Sequence, residues 1–315
     1  MAATAWTPEP QRLPIQVGRH EAKARGRERL HIAIMLAPAT LVLVVVFGGA
    51  VVYAFLQSLG YAPLYGINEF PTTRHFEKLL ASSDFWWSLF YTFYYAIVPT
   101  AVGLVLSLCL AFSLRRQLGR LAFMRHLFKL PLMIPYLVGV ALTILLFANG
   151  GIAARALYAL GLIRSTGEFP RLLQTHGGWG IMMVYLWKQV PFTTLVLSSV
   201  LVGLGKELEE AAATLGASRA QATWHVMLPQ VMPGIVSATI IVFAFNFGSF
   251  ETPFVLGPGH PETLPVAAFR SFTSPDYAQR LDAMAIVTVV AVISAILLWT
   301  YIALYRRFER RRGRQ

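Results

Sequence analysis

The chain has 315 residues, 56% of them hydrophobic and 13% charged, against about 25% charged in a typical soluble domain. So few charges cannot cover the surface of a soluble fold, and several apolar runs exceed the roughly 20 residues needed to cross a bilayer as a helix. The formal net charge is +12, but the basic residues flank apolar runs instead of gathering on a soluble face, which excludes nucleic acid as a partner and points to lipid headgroups.

The pattern predicts an all-α polytopic membrane protein with six transmembrane helices. Residues 1–30 are polar and basic, with Pro8, Pro10 and Pro14, and read as a loose N-terminal tail. The first span is expected at about 31–59. It is too long for a signal-peptide core of about 7–15 residues and is expected to stay in the protein. Residues 60–84, with Pro63, Gly66, Asn68 and Pro71, read as a loop with little regular structure. The second span covers about 85–114 and contains the lone cysteine, Cys109. One cysteine allows neither an internal disulfide nor a cysteine metal cluster, and Cys109 reads as a small buried hydrophobe.

A basic loop follows at 115–125. The third span, about 127–148, contains Pro131 and Pro135, which should kink it. A loop at 149–178 carries a short amphipathic piece at 153–163. The fourth span is about 179–203, a polar loop occupies 204–229, and the fifth span is about 230–250. A second polar loop covers 251–282, the sixth span is about 283–305, and a basic tail closes the chain at 306–315.

Lysine and arginine placement sets the expected orientation. The two tails and the 115–129 and 204–229 loops hold 19 of these residues, and the alternate loops hold 7. That excess puts both termini and the 204–229 loop in the cytoplasm. The even span count agrees.

Within that loop, Leu204, Leu208, Ala211, Ala212 and Leu215 share one helical face, with Glu207, Glu209 and Glu210 on or beside the other. Gly216 suits the left-handed position that ends a helix. Ser218 with Gln221 reads as a capping box opening a second helix, and Pro229 as its end. The loop is therefore expected to be a helix, a sharp turn and a helix outside the bilayer. On these residues alone it serves either as an amphipathic connector resting on lipid or as a surface for another protein.

Lys188 falls midway along the fourth span. A charge there costs roughly 2.5–3.5 kcal/mol on insertion scales, so it should face the interior or a water-filled cavity. It reads either as a residue of a translocation path or as a structural group paired with helix carbonyls or a carboxylate, Glu251 being one candidate. Asn246, Ser249 and Glu251 form a polar patch at the end of the fifth span, read as path residues or as helix capping. Trp86, Trp87, Trp179 and Trp299 fall at expected interfaces as membrane-belt anchors. The histidines match no metal spacing. No cluster of acid, base and nucleophile suggests an enzyme.

Glu210-Ala211-Ala212, then Gly216 after three intervening residues, then Val226 and Leu228-Pro229, resembles the hallmark loop of permease subunits of binding-protein-dependent type I ABC importers. Asn149-Gly150-Gly151-Ile152, Leu160-Gly161-Leu162-Ile163 and Leu172-Leu173 resemble the matching segment of sugar and polyamine permeases. The resemblance covers roughly residues 30 to 305. It implies a permease domain at 31–305, a shared core at about 85–305 and a bacterial inner-membrane location.

It also implies that the 204–229 loop is a coupling helix docking on a cytoplasmic ABC ATPase dimer. Glu210 would make a polar contact there, Ala211 and Ala212 would pack closely, Gly216 would set the angle between the two helices, and Leu228 and Pro229 would close the motif. ATP would be bound and hydrolysed by that partner, since this chain has no G-x-x-x-x-G-K-[ST] loop, and no cofactor is expected here. A second permease subunit, expected to be a paralogue, and an extracytoplasmic solute-binding protein complete the implied assembly.

The run from Phe247 to Gly257, with Leu264-Pro265, resembles polyamine-, opine- or phosphonate-type permeases more than maltose-type ones. A sugar permease is the alternative, and a stand-alone carrier or channel the alternative of another class. A lysine in the path would repel a cationic solute such as a polyamine.

Overall fold

A computed structural model describes residues 17–116 and 128–312. Residues 1–16 of the expected N-terminal tail, 117–125 of the basic loop, 127 at the expected start of the third span and 313–315 of the C-terminal tail lie outside the described residues. The chain divides into two compact units, Met1–Tyr53 and Ala54–Gln315. In the first, the helix Val17–Val42 takes in residues read from sequence as tail. Helix-favouring Ala, Lys, Arg and Glu dominate that stretch. A π-helical turn follows at Leu43–Gly48.

Among the described residues, six helices are long and apolar enough to cross a membrane, the first being His31–Ser58. In the second unit the second span is the helix Ser83–Arg116 and the fourth is Trp179–Gly203. These two form the most extensive helix pair, and the fifth span, within Arg219–Gly248, packs on both. The sixth is Tyr277–Arg312.

The fourth span is the buried centre. Ile181, Met182, Val184 and Tyr185 form one core with Tyr95, Val140 and Leu256. Leu197 and Leu201 form another with Ala111, Met227, Val231 and Ile235. The second and fourth spans meet closely at Gly103, where an added Cβ would lie 2.5 Å from Gln189 Nε2. Large apolar side chains on the outer faces, among them Val105, Leu145, Ile241 and Trp299, are exposed, as surfaces turned to lipid require.

Four sequence expectations are corrected. The third span is broken, not kinked. A short helix, Leu130–Met133, stops at Ile134, and a second, Tyr136–Phe147, starts after Pro135. The residue before a proline is pushed out of the helical region, and Ile134 is extended at φ −89°, ψ 130°. The 60–84 loop contains the helix Arg74–Ala81 and a two-stranded pairing of Tyr61 with Asn68 and Ala62 with Ile67. The 251–282 loop contains the helices Glu251–Leu256 and Leu264–Phe272, and Tyr277 already begins the sixth span's helix. Cys109 is exposed: an apolar residue in a membrane span need not face its own chain.

The short helices are tied to the spans. The Leu264 N–H donates to Thr92 Oγ1 at 2.8 Å. Asp282 takes His75 Nδ1 at 2.7 Å and Lys78 Nζ at 2.5 Å, fastening Arg74–Ala81 to the start of the sixth span.

Candidate functional site

Two places collect the candidate residues. The first is the 204–229 loop. Its leading helix is Glu207–Thr214, with Glu207, Glu209 and Glu210 in the first turn, where carboxylates complement the helix dipole. It ends at Gly216, whose φ is +81°. There the Gly216 N–H donates to Ala213 O and the Ala217 N–H to Ala212 O, both at 3.0 Å. The expected capping box then forms in full: the Gln221 N–H donates to Ser218 Oγ at 3.3 Å and the Ser218 N–H to Gln221 Oε1 at 2.8 Å.

Pro229 does not end the second helix. Helix runs without interruption over Arg219–Gly248, through a π-helical turn at Ala222–Met227 just before Pro229. The wider register of a π turn relieves the clash that a proline ring makes with the carbonyl four residues back.

The apolar face of this loop divides between two directions. Leu204 and Leu208 pack into the core around Met227 and Val231, Leu228 is partly buried there, and Ala212 is buried. Glu210, Ala211, Gly216 and Pro229 are exposed, and Leu215 is 88% exposed. So Ala211, and not Ala212, lies on the open face. Trp224, on the second helix, is 67% exposed. A cavity of about 400 Å³ opens between the helices, lined by residues including Glu209, Glu210, Ala213, Ala217, Arg219 and Thr223.

Arg115, counted in the sequence only as one more loop charge, anchors this assembly. Its guanidinium donates to the carbonyls of Leu201 and Gly205 and pairs with Glu209 at 3.3 Å. The end of the second span is thus joined to the end of the fourth and to the first loop helix.

The second place lies around Lys188 in the fourth span, beside the break in the third. Lys188 is only 7% exposed, and its ammonium donates to the carbonyls of Pro131 at 2.6 Å and Ile134 at 2.5 Å. It also sits 4.9 Å from the centroid of the Tyr136 ring. The break in the third span explains these partners. Pro135 has no N–H to give Pro131 O, and Ile134 O falls outside the following helix. The pairing with helix carbonyls is therefore realised, and Glu251 is not the partner.

Next to it, Asn246 is buried and its Nδ2 donates to Thr100 Oγ1 and to Gln189 Oε1, both at 3.0 Å. Gln189 Nε2 donates to the carbonyl of Pro99. Lys188, Gln189 and Asn246 line one cavity of about 270 Å³ with Tyr136, Phe192 and Phe245. Ser249 and Glu251 do not line it: Ser249 follows the fifth span's helix and Glu251, exposed, opens the next one. Gln189, Thr100 and Tyr136 escaped the sequence reading because polar or aromatic residues within a span carry no charge signal.

Among the described residues no cluster of His, Cys, Asp and Glu could hold a metal ion. Trp86, Trp87, Trp179 and Trp299 are all exposed, in keeping with a place at the lipid interface.

Comparison with known proteins follows the same lines. Residues 103–314 match the family described as "Binding-protein-dependent transport system inner membrane component". The "Probable ABC transporter permease protein y4oQ" of Sinorhizobium fredii is 28% identical over 296 residues, covering 90% of this chain and 94% of the relative. The "Trehalose/maltose transport system permease protein MalF" of Thermococcus litoralis is 27% identical, covering 74% and 80%. The "Molybdenum transport system permease protein ModB" of Mycobacterium tuberculosis is 27% identical, covering 64% and 74%. A crystal structure of a bacterial ABC transporter involved in the import of the acidic polysaccharide alginate superposes with a TM-score of 0.72 at 18% identity, covering 91% of this chain and 99% of that one.

Proposed function

The chain belongs to the family of inner membrane components of binding-protein-dependent transport systems, and from that membership we propose that it forms half of a solute path driven through its 204–229 loop. It is a multi-pass inner-membrane permease subunit of an ABC importer and not an enzyme. The proposal concerns how it is driven and assembled. The loop faces the cytoplasm and docks on an ABC ATPase dimer, which binds and hydrolyses ATP. A second permease, a paralogue, supplies the other half of the path, and an extracytoplasmic binding protein delivers the solute.

The observation that carries this reading is the exposed surface on the loop hairpin. Glu210, Ala211 and Leu215 face outward from a turn fixed by Gly216 and by a complete capping box, and the second loop helix continues into the fifth span. An exposed leucine beside small residues, outside the spans, suits close packing by another protein. Lys188 and Asn246 are assigned to the path.

The residues from Phe247 to Gly257, with Leu264-Pro265, support a polyamine, opine or phosphonate. A sugar is the second reading, favoured by the relative named for trehalose and maltose.

The test is Gly216→Asp in the purified complex reconstituted into proteoliposomes. A Cβ at 216 would meet nothing of this chain within 4 Å, so the substitution acts first on the turn geometry, at a φ of +81°, and on the docked surface. The subunit should insert and assemble, hydrolyse ATP, and lose most uptake per ATP. Undiminished uptake would count against the coupling role.

A further inference from the structure

The geometry points to an anion-recognising subsite at Lys188, made for a small organic solute that carries one anionic group on an apolar body. This deepens the path assignment above and rests on it for its place in transport. Among the described residues, the ammonium has two hydrogen-bond partners, both neutral carbonyls. Among the described residues, no carboxylate lies within ion-pair distance of it.

Capping two carbonyls needs donors, not a charge. A neutral amide would do it without taking a cation into the membrane. The Tyr136 ring favours the charged form but does not neutralise it. An ammonium has three N–H groups, and the two carbonyls take two of them. The third belongs to a group that lines the cavity. A buried, uncompensated cation at such a wall attracts an anion and repels a cation.

The rest of the lining sets the solute's body. Leu132, Phe192, Ile241, Val242 and Phe245 supply apolar wall. The polar neighbours have little to offer, because the Asn246 Nδ2 hydrogens are committed to Thr100 and Gln189, and Gln189 Nε2 donates to the Pro99 carbonyl. A bare inorganic oxyanion losing its water would need several donors, and one ammonium is a poor exchange for that shell. An organic carboxylate or phosphonate needs the single charge at one end and apolar contact elsewhere. Of the solute classes above, a phosphonate with an apolar substituent fits and a polyamine does not.

The test is equilibrium binding to the complete purified complex, in the absence of nucleotide. Radiolabelled benzoate is the probe, and phenylphosphonate, benzamide and benzylamine are competitors of similar size. Benzoate should bind saturably and phenylphosphonate should displace it. Benzamide should be weaker by at least about tenfold, the scale of one charge-assisted hydrogen bond, and benzylamine should not compete. Lys188→Gln, which keeps a donor for the two carbonyls, should lose at least about tenfold in benzoate affinity. Lys188→Arg should stay within a few-fold of the wild type.

Equal binding of benzamide and benzoate, an unchanged Gln variant, or no saturable benzoate binding by an assembled complex would each overturn the subsite. If the Gln variant does not assemble, the competitor series on the wild type and on Lys188→Arg decides alone. Because binding is read without ATP, a failure of Gly216→Asp to uncouple transport would strike the coupling role and leave this measurement standing. Absent benzoate binding in a complex that imports solute would strike the subsite alone.

Discussion

Burial and charge act on Glu262 in opposite directions. Burial raises its pKa above the ordinary glutamate value of 4.5, while Arg270, 2.8 Å away, and His260 lower it, and burial prevails. A carboxyl with a raised pKa in the fold takes up its proton more readily folded than unfolded. The stability it gives is complete below the ordinary value and is lost as pH rises through the raised one. Glu262→Gln should therefore lose less thermal stability than the wild type between about pH 4 and about pH 7. Melting curves of the detergent-purified complex at the two pH values check this, and an equal or larger loss in the Gln variant would refute it.

At the scale of elements, Arg115 is the joint with the clearest consequence. One side chain holds two carbonyls and Glu209, and it is only 13% exposed. Arg115→Met should cost about 1.5–3 kcal/mol for a hydrogen bond to a charged group, seen as a lower melting temperature. It should also reduce uptake per ATP, since the second span is then freed from the loop helix. Arg115→Lys should recover only part of both, because an ammonium lacks the planar fork that reaches several acceptors.

The spans, the turn at Gly216 and the Ser218–Gln221 box were legible because each is a local pattern of periodicity, backbone freedom or capping. Lys188 was legible as a charge needing compensation, but not its partners. They sit more than fifty residues back in the chain and became available only because Pro135 splits the third span. Helices Arg74–Ala81 and Leu264–Phe272 were hidden because they are short and mix polar with apolar residues, as segments at a membrane face do. Leu215 shows a further limit. Periodicity marks a face as apolar without saying whether it is covered by its own chain, and here Leu208 turns inward while Leu215 stays bare.

For the molecule as a whole, the charge distribution predicts a fixed orientation that a simple labelling experiment reads. The chain has one cysteine, so Cys109→Ser gives a clean background. Arg164 and Lys206 are both exposed, on loops expected on opposite sides. A membrane-impermeant maleimide should label Arg164→Cys in spheroplasts and Lys206→Cys only after permeabilisation; the reverse pattern would overturn the orientation. Given that orientation, the unbroken helix Arg219–Gly248 acquires a mechanical meaning. Its 30 residues span about 45 Å at 1.5 Å per residue. It acts as a lever arm with its short end in the hairpin and its long end at Asn246. A tilt of about 10° about the π turn would move Asn246, about 20 residues or about 30 Å further along, by about 5 Å. The π turn at Ala222–Met227 sits near the fulcrum, so how stiff that one turn is decides how much of a push from below arrives at the cavity as displacement and how much is absorbed as bending.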